Sequence, residues 1–516
     1  MKIVEKCKGL PLAILVIARM LAGEKRSTAI WNRTLADVSV PLEKNKVCFA
    51  ILGLSYRYLP LNLTPCFLYF AVFPEDSDIS VRSLIALWLA EGFIEPSGNL
   101  PPEQVAESYL DQLIDRNLVQ AGKRRTIDDG LKTCRIHDLV RELCIDKAMH
   151  ENFMSIPSRK GSTSLINNIK PRRLSIQQQG TTPLSNWDPS SVRSFINFNL
   201  HFSSLACCKT ISSSKYKLLR VLDLGESHGI QSDDFSNLVN LRYLRLFLSS
   251  KSSIPESLFE LWNLQMLFLE GDISYNISLR SLLKLQHLQQ LVIGKGGKGH
   301  KFSGYRKALL SKKQLHSLEV LSTTYPSKDF ENAVKDGLCP NIKKLALCGV
   351  EGGWSLQTYL ARLNYLQVLK ISFSNSKDDI FSGVRDFDLP KNLTKITLKS
   401  STWSDASMNM LGKFPELTTL KLVNLNHANL IAPEGSFLKL NTLHLDTIRG
   451  GEVRFFKTNT VPEHLYVTKC CCDFDKHIFL LRGLEDINIV SPNPRLELLI
   501  QRLQQEKSIR CRLKMH

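Results

Sequence analysis

From Leu219 onward apolar residues recur in the pattern LxxLxL, with anchors at 219, 241, 264, 288, 318, 342, 366, 393, 417, 440, 462 and 484. The steps between anchors are 22 to 24 residues apart from single steps of 30 and 27, which is the period of a leucine-rich repeat. Weaker copies at Pro171-Leu174-Ile176 and Val192-Phe195 extend the array upstream, for about 12–14 repeats in all. Each unit predicts a short strand whose alternate leucines point inward, then a turn and a return segment. No unit buries its apolar face alone, so neighbours must stack into a solenoid. Residues flanking the inward leucines project from the concave strand face, because successive side chains on a strand alternate. In the early units those positions hold Tyr243, Arg245, Phe247, Met266, Phe268 and Glu270. Later units place Lys344, Lys370, Lys395, Lys399 and Lys421 there. These residues are the candidate recognition surface; the plainer alternative is that aromatics cover one end of the solenoid and lysines solvate the rest.

The N-terminal third follows helical rather than repeat logic. Gly9 closes one helix and Pro11 opens the next, the usual asymmetry of helix ends. Further helices are predicted at about Val47–Tyr58, Leu63–Phe73, Val81–Phe93 and Glu103–Asn117, with Ser80 as N-cap of the third. Leu84, Leu87, Trp88 and Glu91 are spaced three and four apart, which predicts one buried and one wet stripe. Two short strands, Leu118–Ala121 and Thr133–Ile136, flank a polar hairpin, and Asp138 is placed as cap of a last helix from Leu139 to about Met149. Helices followed by a two-stranded wing predict a winged-helix domain, with His137 beside a helix N-terminus suited to an anion.

Four motifs in order carry a resemblance: Lys8-Gly9-Leu10-Pro11-Leu12-Ala13, Cys66-Phe67-Leu68-Tyr69-Phe70-Ala71-Val72-Phe73-Pro74-Glu75-Asp76, Leu87-Trp88-Leu89-Ala90-Glu91-Gly92-Phe93 and Ile136-His137-Asp138. Leading into leucine-rich repeats, they resemble those of plant NB-ARC disease-resistance proteins, and the LWLAEGF form is more similar to the coiled-coil class than to the Toll-like class. The resemblance implies an α/β chain in three parts: the helical end of an NB-ARC module over residues 1–45, a winged-helix domain over 46–155, and the solenoid over 156–516. It also implies an intracellular, cytoplasmic immune receptor in which an ADP/ATP switch with Mg²⁺ controls a defence response and hypersensitive cell death. The repeats would sense a pathogen effector or a guarded host protein and hold the switch off through contact with the winged helix. Nucleotide contacts carried over from the family fall on Pro11 and His137.

The sequence departs from that pattern. It has no GxxxxGKS or GxxxxGKT and no apolar run ending in paired acids, and Ile136 replaces the family's methionine. The expectation is therefore an N-terminally truncated receptor that binds no cofactor by itself and is not an enzyme. A decoy without signalling activity is one alternative, and a nucleic-acid-binding winged helix is another.

Charge separates these readings. The net +18 is confined to the C-terminal part: residues 1–155 hold 19 basic and 19 acidic groups, and the remainder holds 48 and 30. A neutral winged helix lacks the basic face that phosphate contact requires, so no direct DNA binding is expected. The segment Ile273–Leu318 carries nine basic residues and no acid, and either it or the basic residues just N-terminal to it are expected to meet acids of the winged helix such as Glu75, Asp76 and Asp78. Within it, Gly294–Gly299 spells GxGxxG, but the repeat phase already accounts for the strand before it and no βαβ unit surrounds it. Thirteen cysteines, none in a CxxC pair, fit a reducing compartment better than a disulfide framework. His464, Cys470, Cys472 and His477 match no standard metal spacing, so no metal is expected. The run LPLAILVIA is shorter than the about 20 apolar residues that span a bilayer, and no transmembrane segment is expected. The sequons at Asn32, Asn62, Asn276 and Asn392 are short enough to arise by chance.

Overall fold

The computed structural model describes residues 14, 15, 18, 44–125, 130–156, 170–177, 188–198, 216–225, 235–248, 254–271, 276–294, 301–350, 356–373, 390–399, 405–426, 429–454, 462–474, 484–505 and 512–515. The chain forms two compact units, Met1–Arg125 with Asp129–Phe247, and Leu248–His516 with Thr126–Asp128.

The first unit opens with α1 (Lys44–Arg57) and α2 (Thr64–Leu68), which tightens into a 3₁₀ turn over Tyr69–Val72. Phe67, Tyr69, Phe70 and Trp88 are fully buried, and Phe70 meets the Trp88 ring edge-on at 6.1 Å. The motif CFLYFAVF is thus the domain core. Strand β1 (Ile79–Ser80) leads into α3 (Val81–Glu91), where Ser80 Oγ accepts from the Ser83 amide at 3.4 Å, as its position predicts. After α4 (Pro102–Asp115), β2 (Gln120–Ala121) and β3 (Thr133–Arg135) form the wing. The wing has three strands in the order β1-β3-β2, one more than expected, because two residues before α3 pair with Thr133 and Cys134. Helix α5 (Asp138–His150) closes the domain, with Cys144 Sγ 3.5 Å from the Phe67 carbonyl.

Four parallel strands follow in this unit: β4 (Arg173–Ile176), β5 (Ser194–Asn197), β6 (Val221–Asp223) and β7 (Tyr243–Phe247). Among its described residues the second unit holds eleven parallel strands of the same repeat, from Met266–Glu270 to Arg512–Met515. That last strand carries no LxxLxL and was not legible as a repeat; it pairs with Asp486–Val490. Every described leucine and isoleucine of the repeat triads is buried. In the 30-residue step, Lys301–Ser303 pairs with Asn276–Ser278 in a small second ladder, while residues 295–300 of the glycine-rich loop lie outside the described set.

An asparagine just before several anchors ties neighbouring repeats together. Asn240 Nδ2 donates to the Lys217 carbonyl at 2.7 Å, Asn341 to His316 at 2.8 Å and Asn392 to Asn364 at 2.9 Å. These carbonyls sit in the bend before a strand, where the parallel ladder does not reach them, and the amide side chain fills the gap.

Candidate functional site

A densely bonded polar group of the first unit lies where the winged helix meets the first repeats. Gly92, at φ +82°, ends α3 in the left-handed region, and its amide and that of Phe93 turn back to the Trp88 carbonyl at 3.1 and 3.0 Å. This cap aims Glu91 and Phe93 at the same neighbour, Arg173 of β4. The pair is bidentate, with Arg173 Nε donating to Glu91 Oε1 at 2.8 Å and Nη2 to Oε2 at 2.9 Å. Ser194 Oγ also donates to Glu91 Oε1, and Arg220 Nη1 donates to the Glu91 carbonyl at 3.2 Å. The Arg173 guanidinium lies 4.0 Å from the centre of the Phe153 ring and 5.0 Å from that of Phe93. Glu91 is only 3% exposed, on the same helix face as the buried Leu84, Leu87 and Trp88, as their spacing predicts; a charge can be buried here because every bond it needs is supplied. Burial, followed by Arg220, Arg172 and Arg173, holds the Arg193 guanidinium below its ordinary value, and Glu91 counters that crowding.

A second set of bonds secures the same joint. The end of the 3₁₀ turn leaves carbonyls without helical partners. Ser175 Oγ donates to Val72 at 2.6 Å, Gln177 Nε2 to Ala71 at 3.0 Å and to Val72 at 2.8 Å, and Arg141 Nε to Phe73 at 3.0 Å. Arg141 also donates to Gln177 Oε1 at 2.6 Å. Two of the family-like motifs, CFLYFAVF and LWLAEGF, therefore end on polar partners from β4 and the residue after it.

His137, not Asp138, is the N-cap of α5: its Nδ1 accepts from the Leu139 amide at 3.3 Å, and Asp138 is the first helical residue. The imidazole is exposed and already occupies one amide donor of that helix end. Pro11 lies outside the described residues. Asp78 is bound within the wing by Lys123 at 3.1 Å and by Arg135, whose bonds hold its carboxyl down at about 2. The cations it meets are thus those of its own domain.

The predicted recognition residues separate by depth. Tyr243 is 2% exposed, beneath α3, and Met266 and Phe268 are 0% and 8% exposed, so Tyr243 and Met266 offer a partner no surface. Arg245 is half-buried with Asp223 at 3.5 Å, and Phe247 is half-buried. Lys344, Lys370 and Lys399 are exposed, and Lys395 and Lys421 half-buried. Among the described residues no group of three or more His, Cys, Asp or Glu is arranged to hold a metal, and no helix is long and apolar enough to cross a membrane. Cys470 and Cys472 are buried, and His477 lies outside the described residues.

Comparison with known proteins places this geometry. Residues 72–144 match the disease resistance protein winged helix domain, and residues 191–472, more than half of the chain, match a leucine-rich repeat region. The chain belongs to the leucine-rich-repeat family of plant disease-resistance proteins. A putative late blight resistance protein homolog, R1B-16 of Solanum demissum, is 30% identical over 491 residues, covering 87% of this chain and 37% of that protein. The ToMV resistant protein Tm-2 netted virescent of Solanum lycopersicum is 29% identical over 496 residues, covering 87% and 55%. The ToMV susceptible protein tm-2 of the same species is also 29% identical, over 499 residues, covering 86% and 55%. The chain thus spans roughly a third to a half of these relatives' length. Because resistant and susceptible proteins are equally similar to it, the likeness fixes the family and leaves the activity to be argued from residues. In this disease-resistance chain Glu91 falls in the first matched region, Ser194 and Arg220 in the second and Arg173 between them, so it is the Ser194 and Arg220 bonds to Glu91 that join the two regions.

Proposed function

We propose that this chain is the sensing and restraining part of an intracellular plant immune receptor, which meets a pathogen effector or a guarded host protein on its concave repeat face. The observation that carries the reading is a contrast between outward strand positions: Tyr243 in the first repeats is buried beneath the winged helix, whereas Lys344 and Lys370 in later repeats stand exposed. The clasp at Glu91 and Arg173 supports the restraining half, since movement of the first repeats must break a buried ion pair. In the intact receptor, Pro11 and His137 would contact an ADP or ATP whose phosphate cradle lies in other residues, and this chain alone would not turn nucleotide over. The neutral charge of residues 1–155 supports a protein partner rather than DNA.

The test is proximity labelling in leaf tissue with the wild-type chain and a Lys344→Glu, Lys370→Glu variant. A partner enriched by the wild type and lost from the variant supports the reading. Equal labelling by both overturns recognition through this face.

A further inference from the structure

Three neighbouring strands of the second unit, Val368–Phe373, Lys395–Lys399 and Thr419–Val423, run parallel in one register. Val368, Lys395 and Thr419 share a cross-strand row, Lys370, Thr397 and Lys421 the next, and Ser372, Lys399 and Val423 a third. The residues alternating with them are the buried leucines and isoleucines of the repeats, so these nine positions form a three-by-three grid on the concave face. Thr397 is its centre. Its four nearest grid neighbours are all lysines: Lys395 and Lys399 about 7 Å away along its own strand, and Lys370 and Lys421 about 5 Å away across the sheet, as backbone spacings.

The corners complete the pattern. Ser372, Thr397 and Thr419 place three hydroxyls on one diagonal, Val368 and Val423 occupy the other two corners, and the grid contains no carboxylate. Thr397 and Thr419 are buried at its floor, while Lys370 and Lys399 are exposed at its rim. Beyond Lys421 in the same row stands His444, buried and held neutral, its pKa pushed down to about 4 by burial and then by Lys421, against an opposing pull from Asp446. Burial is the largest of these causes, and Lys421 is the one lysine of the grid that adds to it.

Four cations round a recessed hydroxyl match an anion that carries several charges in a small volume. An acidic protein segment reaches the rim lysines, but each of its carboxylates brings a single charge to the threonine floor. A small ligand whose oxygens are themselves the charged atoms reaches both. We propose that this grid is a binding site for a compact polyphosphorylated anion, with the hydroxyls of Ser372, Thr397 and Thr419 donating to phosphoryl oxygens and Lys370, Lys395, Lys399 and Lys421 supplying the charge. The site requires no protein partner, so it goes beyond the recognition reading and fails separately from it.

The experiment is calorimetric titration of the full chain with inorganic tripolyphosphate at physiological salt. One saturable site is expected. Lys370→Gln with Lys399→Gln weakens it by about tenfold or more, since two charge-assisted bonds are lost. Thr397→Val, which preserves both shape and net charge, weakens it several-fold. Lys307→Gln with Lys312→Gln removes the same charge from exposed positions outside the grid and leaves affinity unchanged. Three results overturn the site: no saturable binding, equal weakening by the control pair, or equally tight binding of a poly-glutamate peptide of matched charge. Thr397→Val without effect overturns the part assigned to the hydroxyl.

Discussion

The first repeats and the middle repeats share one architecture and use it in opposite ways. Tyr243 and Lys344 hold the same outward position of an LxxLxL unit, yet the tyrosine is sealed beneath α3 and the lysine is exposed. At the closed end, polar side chains are bound to one another: Glu91 to Arg173 and Ser194, Gln177 to the carbonyls of Ala71 and Val72. On the open face, cations of one sign crowd together with no carboxylate in the grid around Thr397. The periodicity that builds the solenoid therefore says where side chains point, and the neighbouring domain decides which of them meet water.

The comparison breaks most sharply at Arg173. Arg173→Ala leaves the Glu91 carboxylate buried without its cation, and is expected to cost about 3–5 kcal/mol in denaturant unfolding of the first unit, with faster proteolysis there. Arg173→Lys restores the charge without the bidentate fork or the flat surface between Phe93 and Phe153, and should recover only part of the loss. A loss under about 1 kcal/mol for the alanine variant would mean that the closed end is held by packing alone. The inward leucines should not distinguish the regions: Leu222→Ala and Leu420→Ala, both fully buried, are each expected to cost about 3 kcal/mol. A twofold difference in unfolding free energy between them would show that one end can collapse around a cavity and the other cannot.

A pH effect above pH 4 is expected on the open face. His444 titrates at about 4 when folded and near 6.5 when unfolded, so the unfolded chain takes up the proton first as pH falls. Stability from this residue is intact above about 6.5 and declines as pH drops toward about 4. His444→Phe should remove that part of the acid sensitivity in melting curves taken between pH 7.5 and 4.5, and an unchanged slope refutes it. The smallest effect is shared: Asn240→Ala in one unit and Asn341→Ala in the other each remove one side-chain bond to a bend carbonyl, at about 1 kcal/mol by thermal unfolding.

Much of this was legible in the residues, and the failures have a common cause. The leucine anchors give strand positions because burial demands period two within a strand and about 23 residues between strands. Ser80 and the helix pattern were readable because caps are local. The spacing puts Glu91 on the leucine face, but its ion pair was not legible, since its partner lies 82 residues away. The capping role of His137 in place of Asp138 was missed for a subtler reason: aspartate is the commoner cap, and one position decides between them. Tyr243 and Met266 occupy outward positions by register, and only tertiary packing removes them from the surface.

Strand β4 is the first of the array and would otherwise present a bare edge, an open template for another chain. Here the chain leaving α5 runs along that edge, with the Ser155 amide donating to the Arg173 carbonyl at 2.9 Å and the Ser175 amide to the Ser155 carbonyl at 3.2 Å. Solenoids need a terminal cap for solubility, and in this protein the end of the winged-helix domain supplies it. Repeats can then be exchanged between relatives by recombination downstream of Phe247 without disturbing any residue of the clasp, whereas a crossover between Glu91 and Arg173 would separate two halves of one buried bond.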